Sequence, residues 1–208
     1  MEFTGTWKEI WTQKGQVSGT IEDVYIYGGW EKSNNGAAEA NAQIERVFNR
    51  IVEETGIKKD DKVLELGCGA GAYAQHFETY LEDGIYAGID FSRPLVEKCN
   101  QFFGSGKVCA LNAEANNIPF KDKYFDVVFC YGLFFYFPTK EYAWEVMQEM
   151  IRVSKRVVFI GEIAHSSQHE SKHLLIQRED FDGWKGWQLS DSWYPAYEKE
   201  RYNATFMM

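Results

Sequence analysis

No apolar run in the 208 residues reaches the roughly 18–20 needed to cross a bilayer, so no helical membrane span is expected. The opening stretch MEFTGTWKEIW has no basic segment leading into an apolar one, and a secretory signal is not expected. The cysteines Cys68, Cys99, Cys109 and Cys130 are widely spaced, without a C-x-x-C pair or a histidine at zinc spacing. Three of them fall in strand- or helix-patterned segments. This reads as buried thiols in a reducing compartment, and the cytoplasm is the expected location. Basic residues are the minority, 22 Lys and Arg against 31 Asp and Glu, which gives a formal net charge of -9. With no Lys/Arg stripe to compensate, a phosphate backbone is repelled on average, and nucleic acid is not an expected partner. Internal repeats and low-complexity tracts are also absent.

Aromatic residues are plentiful: 7 Trp, 12 Tyr and 15 Phe. Many lie outside the regular segments, at Trp7, Trp11, Tyr25, Tyr27, Trp30, Phe134–Phe137 and Trp184–Tyr197. Packing of a small domain and the lining of an aromatic pocket both account for them.

Hydrophobic periodicity orders the chain. Residues 4–14 place Trp7, Ile10 and Trp11 on one face of a short helix, and 15–36 read as loop. A longer helix follows, with Ile44, Val47, Phe48 and Ile51 on its apolar face and Gly56 to end it. Strands are expected at 60–66, 84–90, 106–112, 124–132 and 155–162, and helices at 72–81, 94–103 and 139–153. Pro94 opens one of these helices in its first turn. This alternation is the pattern of a parallel sheet with right-handed crossovers and helices on both faces. Beyond it, REDFDGW reads as a helical turn, and GWQLSDSW and RYNATFMM as an antiparallel edge hairpin.

The chemistry concentrates in VLELGCGAGAY, residues 63–73. Gly67, Gly69 and Ala72 satisfy the G-x-G-x-x-[G/A] spacing of a dinucleotide turn, where backbone N–H groups approach a ligand closely. Glu65, just ahead of the turn, would repel a pyrophosphate there and suits a ligand carrying an ammonium group. Asp90, at the tip of the second strand, is placed to accept from both hydroxyls of a ribose. A bland alternative makes Asp90 a helix cap, a task Ser92 is positioned to perform without it. Together Glu65 and Asp90 describe an adenosine with a cationic tail and no phosphate.

These residues resemble the class I S-adenosylmethionine-dependent methyltransferases. VLELGCGAG is similar to that family's E/D-x-G-x-G-x-G signature, GIYAGIDFS to its second motif, and ALNAEANNIPFKDKYFDVVFCYGLFFYF to the third and fourth, in order from about residue 43 to 162. The resemblance implies a Rossmann-like α/β fold with a seven-stranded, mostly parallel sheet, an antiparallel edge hairpin and helices on both faces. It implies S-adenosylmethionine as cofactor and S-adenosylhomocysteine as product. Glu65 would orient the methionine ammonium, and Gly67, Cys68 and Gly69 would line the turn. Asp90 would bind the ribose with Phe91 on the adenine face, and Asn112, Ala113 and Glu114 would meet the adenine edge. Cys130 and Tyr131 would border the methionine moiety. Asn112 departs from the Asp usual in the family, although an amide oxygen still accepts from the adenine amino group.

Residues 1–208 are expected to form one methyltransferase domain, with an aromatic lid over 1–36, a cofactor-binding core over 37–162 and an acceptor side over 163–208. The methyl acceptor is expected to be a small molecule, with oxygen favoured over nitrogen. CYGLFFYF lacks the Asn/Asp-Pro-Pro-Tyr/Phe turn of planar-nitrogen methylation, and no Pro-Cys nucleophile is present. Tyr25, Tyr27, Trp30, Phe135 and Tyr136 are the expected lid and acceptor-pocket residues. Glu162 or His165 is the expected general base, against a mechanism of proximity alone. His165, His169 and His173 share one face if that segment is helical, but its serine-rich flanks favour a loop and no metal is expected. A monomer or homodimer is expected. Two rivals stay open: a non-catalytic S-adenosylmethionine-binding protein and a nicotinamide-dependent oxidoreductase.

Overall fold

The computed structural model describes residues 6–17, 19, 37–166, 173–194 and 197–208, which fall into two units, 1–114 and 115–208. In the first unit, α1 (Trp7–Gln16) begins at a capping box in which Thr6 and Glu9 exchange hydrogen bonds. Helix α2 (Ala37–Thr55) buries Ile44, Val47, Phe48 and Ile51, the apolar face its spacing predicts. Each such side chain contributes about 1.5–3 kcal/mol when fully buried. The Thr55 hydroxyl bonds back to the Ile51 carbonyl at 2.6 Å, and Gly56, at φ 60°, ends the helix.

Strands β1 (Lys62–Leu66), β2 (Ile85–Asp90) and β3 (Val108–Asn112) pair in parallel in the order β3-β2-β1. β1 and β2 are buried almost throughout, as expected of strands covered on both faces. Helix α3 (Ala74–Tyr80) follows β1, and its Phe77 and Tyr80 meet the Phe48 ring of α2 edge-on, with centroids at 4.9 and 5.6 Å. Helix α4 (Arg93–Phe103) turns Leu95, Val96, Cys99 and Phe103 inward. Gly15 of α1 lies so close to Pro94 and Leu95 that a Cβ there would sit 3.0 Å from both side chains. The N-terminal helix is thereby docked on the start of α4.

In the second unit, β4 (Phe125–Tyr131) and β5 (Ser154–Ala164) are parallel, joined through a 3₁₀ turn at Phe134–Tyr136 and helix α5 (Lys140–Val153). β6 (Trp187–Asp191) and β7 (Arg201–Met207) form the antiparallel hairpin, and β7 also pairs antiparallel with β5. Arg152 ties α5 to the preceding loop through Glu149, Asp122 and the carbonyls of Ile118 and Phe120.

Seven strands, three parallel pairings and a terminal antiparallel hairpin make the α/β fold the sequence leads one to expect. The aromatic run after β4 is not a simple loop. It forms the 3₁₀ turn, and Phe134, Phe135 and Phe137 are buried, so packing accounts for these three rings. Among the described residues no helix is long and apolar enough to cross a membrane.

Candidate active site

In the first unit the glycine turn leaves β1 and folds back on β2, where the amides of Gly67 and Cys68 both donate to the Ile89 carbonyl, at 2.8 and 3.1 Å. Gly67, Gly69 and Gly71 all have positive φ, which L side chains adopt only at a cost. At Gly71 the fold itself leaves no room, since a Cβ would meet Cys99 Sγ and the Phe103 ring at 2.8 Å. At Gly69 a Cβ would meet nothing within 4 Å. Gly69 thus faces open space, where the fold itself does not demand a glycine for room.

Asp90 stands beside this space at the end of β2. Its Oδ2 accepts from the Gly69 amide at 3.0 Å and its Oδ1 from the Ser92 amide at 2.8 Å, so the carboxylate is fixed with a lone pair left on each oxygen. Burial raises its pKa to about 6, opposed by those two amides and reinforced by Glu114. Glu65 is buried on β1 and accepts from the Tyr86 hydroxyl at 2.5 Å. Burial pushes its carboxyl up to about 8, the tyrosine opposes the shift, and Asp90 adds to it.

Phe91 follows Asp90. The Asn112 amide donates to the carbonyls of Asp90 and Phe91 at 3.0 and 2.7 Å, and the Ala113 N–H donates to the Asp90 carbonyl at 3.1 Å. Asn112 therefore spends its nitrogen on the β2–α4 loop and keeps its oxygen as the acceptor face. Glu114 is exposed and paired with Lys8 of α1 at 2.6 Å, and Lys8 Nζ also lies 5.5 Å from the Phe91 ring centroid. The sequence reading missed Lys8, because only the docking of α1 on α4 brings it there. Ser92 occupies the N-cap position of α4, but its hydroxyl reaches the Trp11 carbonyl at 3.4 Å and does not cap the helix. Cys68 is buried, with its Sγ only 2.7 Å from where a Cβ on Gly88 would sit, so it acts as a close-packed filler.

The second unit holds the other candidates. Glu162 is buried on β5 with φ 62°, at the register shift between Ile160 and Ile163 opposite β7. A non-glycine residue in this region is strained, and such strain persists where its surroundings over-determine it. Here the Asn203 side chain accepts from the Glu162 amide at 3.0 Å, and Ser192 Oγ donates to Oε1 at 2.6 Å. Among the described residues Oε2 has no hydrogen-bond partner, and Arg201 Nη1 stands 3.8 Å away. Burial raises the Glu162 pKa, with Ser192, Arg201, Tyr131 and the Trp193 backbone opposing. Tyr131, at the end of β4, is raised mainly by burial and next by the Glu162 charge. Its ring stacks on Trp193 at 6.2 Å, and Gly161 is the residue type that leaves it room, since a Cβ there would lie 2.4 Å from the ring.

Phe135 underlies Arg201, whose guanidinium lies 4.7 Å from that ring centroid and 3.9 Å from Tyr197's. Tyr136 and His173 pack beside Phe135, at 4.4 and 4.7 Å between ring centroids. His165 is placed differently. Its ring lies 5.9 Å from Tyr202 and its carbonyl accepts from Gln177. The segment leading to it is strand, residues 167–172 of the expected histidine face lie outside the described residues, and among the described residues no group of three potential metal ligands occurs. Cys130 is fully buried and offers main chain only. Tyr25, Tyr27, Trp30 and His169 lie outside the described residues, as does most of the expected lid.

Residues 63–156 match the family model described as "Methyltransferase domain". The phthiotriol/phenolphthiotriol dimycocerosates methyltransferase of Mycobacterium tuberculosis is 26% identical over 134 residues, covering 60% of this chain and 50% of that protein. Human probable tRNA methyltransferase 9B is 25% identical over 124 residues, covering 57% of this chain and 25% of that protein. The chain thus spans half or less of the length of these curated relatives. Among solved structures, magnesium protoporphyrin IX methyltransferase from Synechocystis with bound S-adenosylhomocysteine superposes with a TM-score of 0.63. It covers 94% of this chain and 92% of its own at 14% identity, a likeness of fold.

Proposed function

We propose that the chain is a class I S-adenosylmethionine-dependent methyltransferase, a reading supported by the methyltransferase-domain match over residues 63–156, and that it transfers a methyl group to a small-molecule acceptor, with oxygen as the favoured atom. The observation that carries the reading is the pairing of a fixed Asp90 carboxylate with open space at Gly69. A ribose presents two adjacent hydroxyl donors, and Asp90 offers one lone pair on each of two oxygens whose other lone pairs are held by amides. Glu65 adds a carboxyl without a phosphate-binding complement, which suits an ammonium. Phe91, Asn112, Ala113 and Glu114 would receive the adenine, with Lys8 bracing Glu114 and Phe91 from α1.

When bound, the cofactor supplies a methyl group already activated on a sulfonium. The chain's own residues orient the donor and hold the acceptor in line, and alignment of this kind is worth roughly 7–11 kcal/mol. Glu162, whose Oε2 has no hydrogen-bond partner among the described residues, is the general base of this reading, with His165 the other candidate. The reading places function on the full set of residues 37–208, with α1 as part of a lid. The net charge of -9 favours a small acceptor over a nucleic acid.

Two measurements test it. Calorimetric titration of Asp90→Ala with S-adenosylmethionine is expected to show affinity lower by tenfold or more, and unchanged affinity would remove the ribose assignment. S-adenosylhomocysteine release on adding a cell extract of small metabolites is expected of an enzyme, and binding without release would make the chain a cofactor-binding protein only.

A further inference from the structure

Helix α1 lies in the same unit as the residues proposed to hold the adenosine end of the donor, and it meets them at several points. Two contacts fasten the C-terminal part of the helix to α4. Gly15 lies against Pro94 and Leu95, and Lys98 Nζ donates to the Val17 carbonyl at 2.8 Å. Further toward the start, the Trp11 carbonyl accepts from the Ser92 hydroxyl at 3.4 Å, and the Ser92 amide in turn donates to Asp90. Lys8 stands about two helical turns, or roughly 10 Å, beyond the Gly15 anchor. There it meets Glu114 at 2.6 Å and lies 5.5 Å from the Phe91 ring centroid. From this placement, and resting on the methyltransferase reading above, we infer that Lys8 is a positioning residue for the donor. Its ion pair with Glu114 latches α1 across the adenine end, and S-adenosylhomocysteine leaves when that pair opens.

The pair is suited to opening and closing, and poorly suited to holding the fold together. The Lys8 and Glu114 side chains are 57% and 45% exposed, a setting in which an ion pair adds little to stability and is screened by salt. What holds α1 in place is the buried Gly15 contact and the Lys98 bond, both at its other end. Breaking the ion pair therefore frees the start of the helix while its end stays docked.

A cation is the group this position calls for. It meets a carboxylate and an aromatic ring at once, and both attract it. It also answers a charge that acts on the ribose site. The Asp90 carboxyl, raised chiefly by burial, is raised further by the negative charge of Glu114. A Glu114 left without Lys8 would favour a protonated Asp90, which has one acceptor fewer for a ribose hydroxyl. The contact that closes the adenine end thus also supports the ionised form of Asp90. An apolar residue at position 8 would lose all three effects, whereas an arginine would keep the charge.

The test follows S-adenosylhomocysteine leaving the immobilised full chain by surface plasmon resonance. Dissociation from Lys8→Ala is expected to be faster by about three- to tenfold, with an unchanged denaturation midpoint. Lys8→Glu should be faster still, Lys8→Arg should stay close to wild type, and Lys8→Glu combined with Glu114→Lys should recover much of the loss. Salt raised from about 0.05 to 0.5 M should speed dissociation from the wild type and leave Lys8→Ala nearly unaffected. Gly15→Val, whose side chain pushes α1 off Pro94 and Leu95, should make Lys8→Ala silent when the two are combined. A wild-type rate in Lys8→Ala, no recovery in the reversed pair, or a lowered denaturation midpoint in Lys8→Ala would each overturn the latch. So would an effect of Lys8→Ala that persists beside Gly15→Val. Failure of the wild-type chain to bind S-adenosylhomocysteine or S-adenosylmethionine at all would instead overturn the methyltransferase reading on which the latch rests.

Discussion

Two carboxyl groups at the ends of adjacent strands, Glu65 on β1 and Asp90 on β2, are tuned by different neighbours. Glu65 leans on a single tyrosine hydroxyl, and Asp90 on two backbone amides. Tyr86→Phe removes the group that opposes the rise in the Glu65 pKa, so its carboxyl should titrate at still higher pH. The expected result is an alkaline shift in the pH profile of S-adenosylmethionine binding, read by calorimetry, with little change at Asp90. Asn203 is a second residue-scale test, because its side chain satisfies the Glu162 amide and donates to the Asp191 carbonyl at 2.8 Å. Asn203→Ala orphans both groups and should cost about 1–3 kcal/mol in denaturant unfolding.

At the scale of elements, the glycine turn separates two demands that one motif combines. Gly71 answers to the fold, since any Cβ there collides with α4. Gly71→Ala should therefore lower stability by more than about 1 kcal/mol, visible as a lower denaturation midpoint. Gly69 is the ligand-facing glycine of the proposed site: Gly69→Ala carries only the cost of its positive φ in stability but should weaken cofactor binding clearly. Elements of this kind were legible in the sequence. Buried parallel strands read as apolar runs, α2 as a helical stripe, and the turn as three glycines between a carboxylate and a helix. What was not legible depends on pairing between distant segments. Arg201 reaches Glu162 because β7 pairs antiparallel with β5, and the left-handed bulge at Glu162 exists because the two strands slip in register there. Lys8 reaches Glu114 only because Gly15 seats α1 on α4. The Ser92 cap failed for a similar reason, since its hydroxyl turned to a helix the local sequence does not reveal.

For the molecule as a whole, buried carboxyls set the response to pH. The folded-state pKa values of Glu65 and Asp90, about 8 and about 6, lie above the ordinary carboxylate range, so the fold favours their neutral forms. The stability they contribute is full below the unfolded pKa and is lost as pH rises through about 6 and then about 8. The unliganded protein should thus become easier to denature across that window, and Glu65→Gln should flatten the upper part of the curve. A ligand with a cationic tail favours the ionised carboxyls, so binding near pH 7 should release protons. Calorimetry in buffers of different ionisation enthalpy reads that release directly. The net charge of -9 works in the same direction, adding self-repulsion as the pH climbs.

The account stands on Asp90 holding the ribose of S-adenosylmethionine beside the glycine turn. Calorimetric titration of the wild-type chain and of Asp90→Ala at one pH tests this most directly. Saturable binding to the wild type, weakened tenfold or more in a variant that keeps its fold, is the predicted result. Equal affinity in the two proteins, or no binding to the wild type, would contradict it.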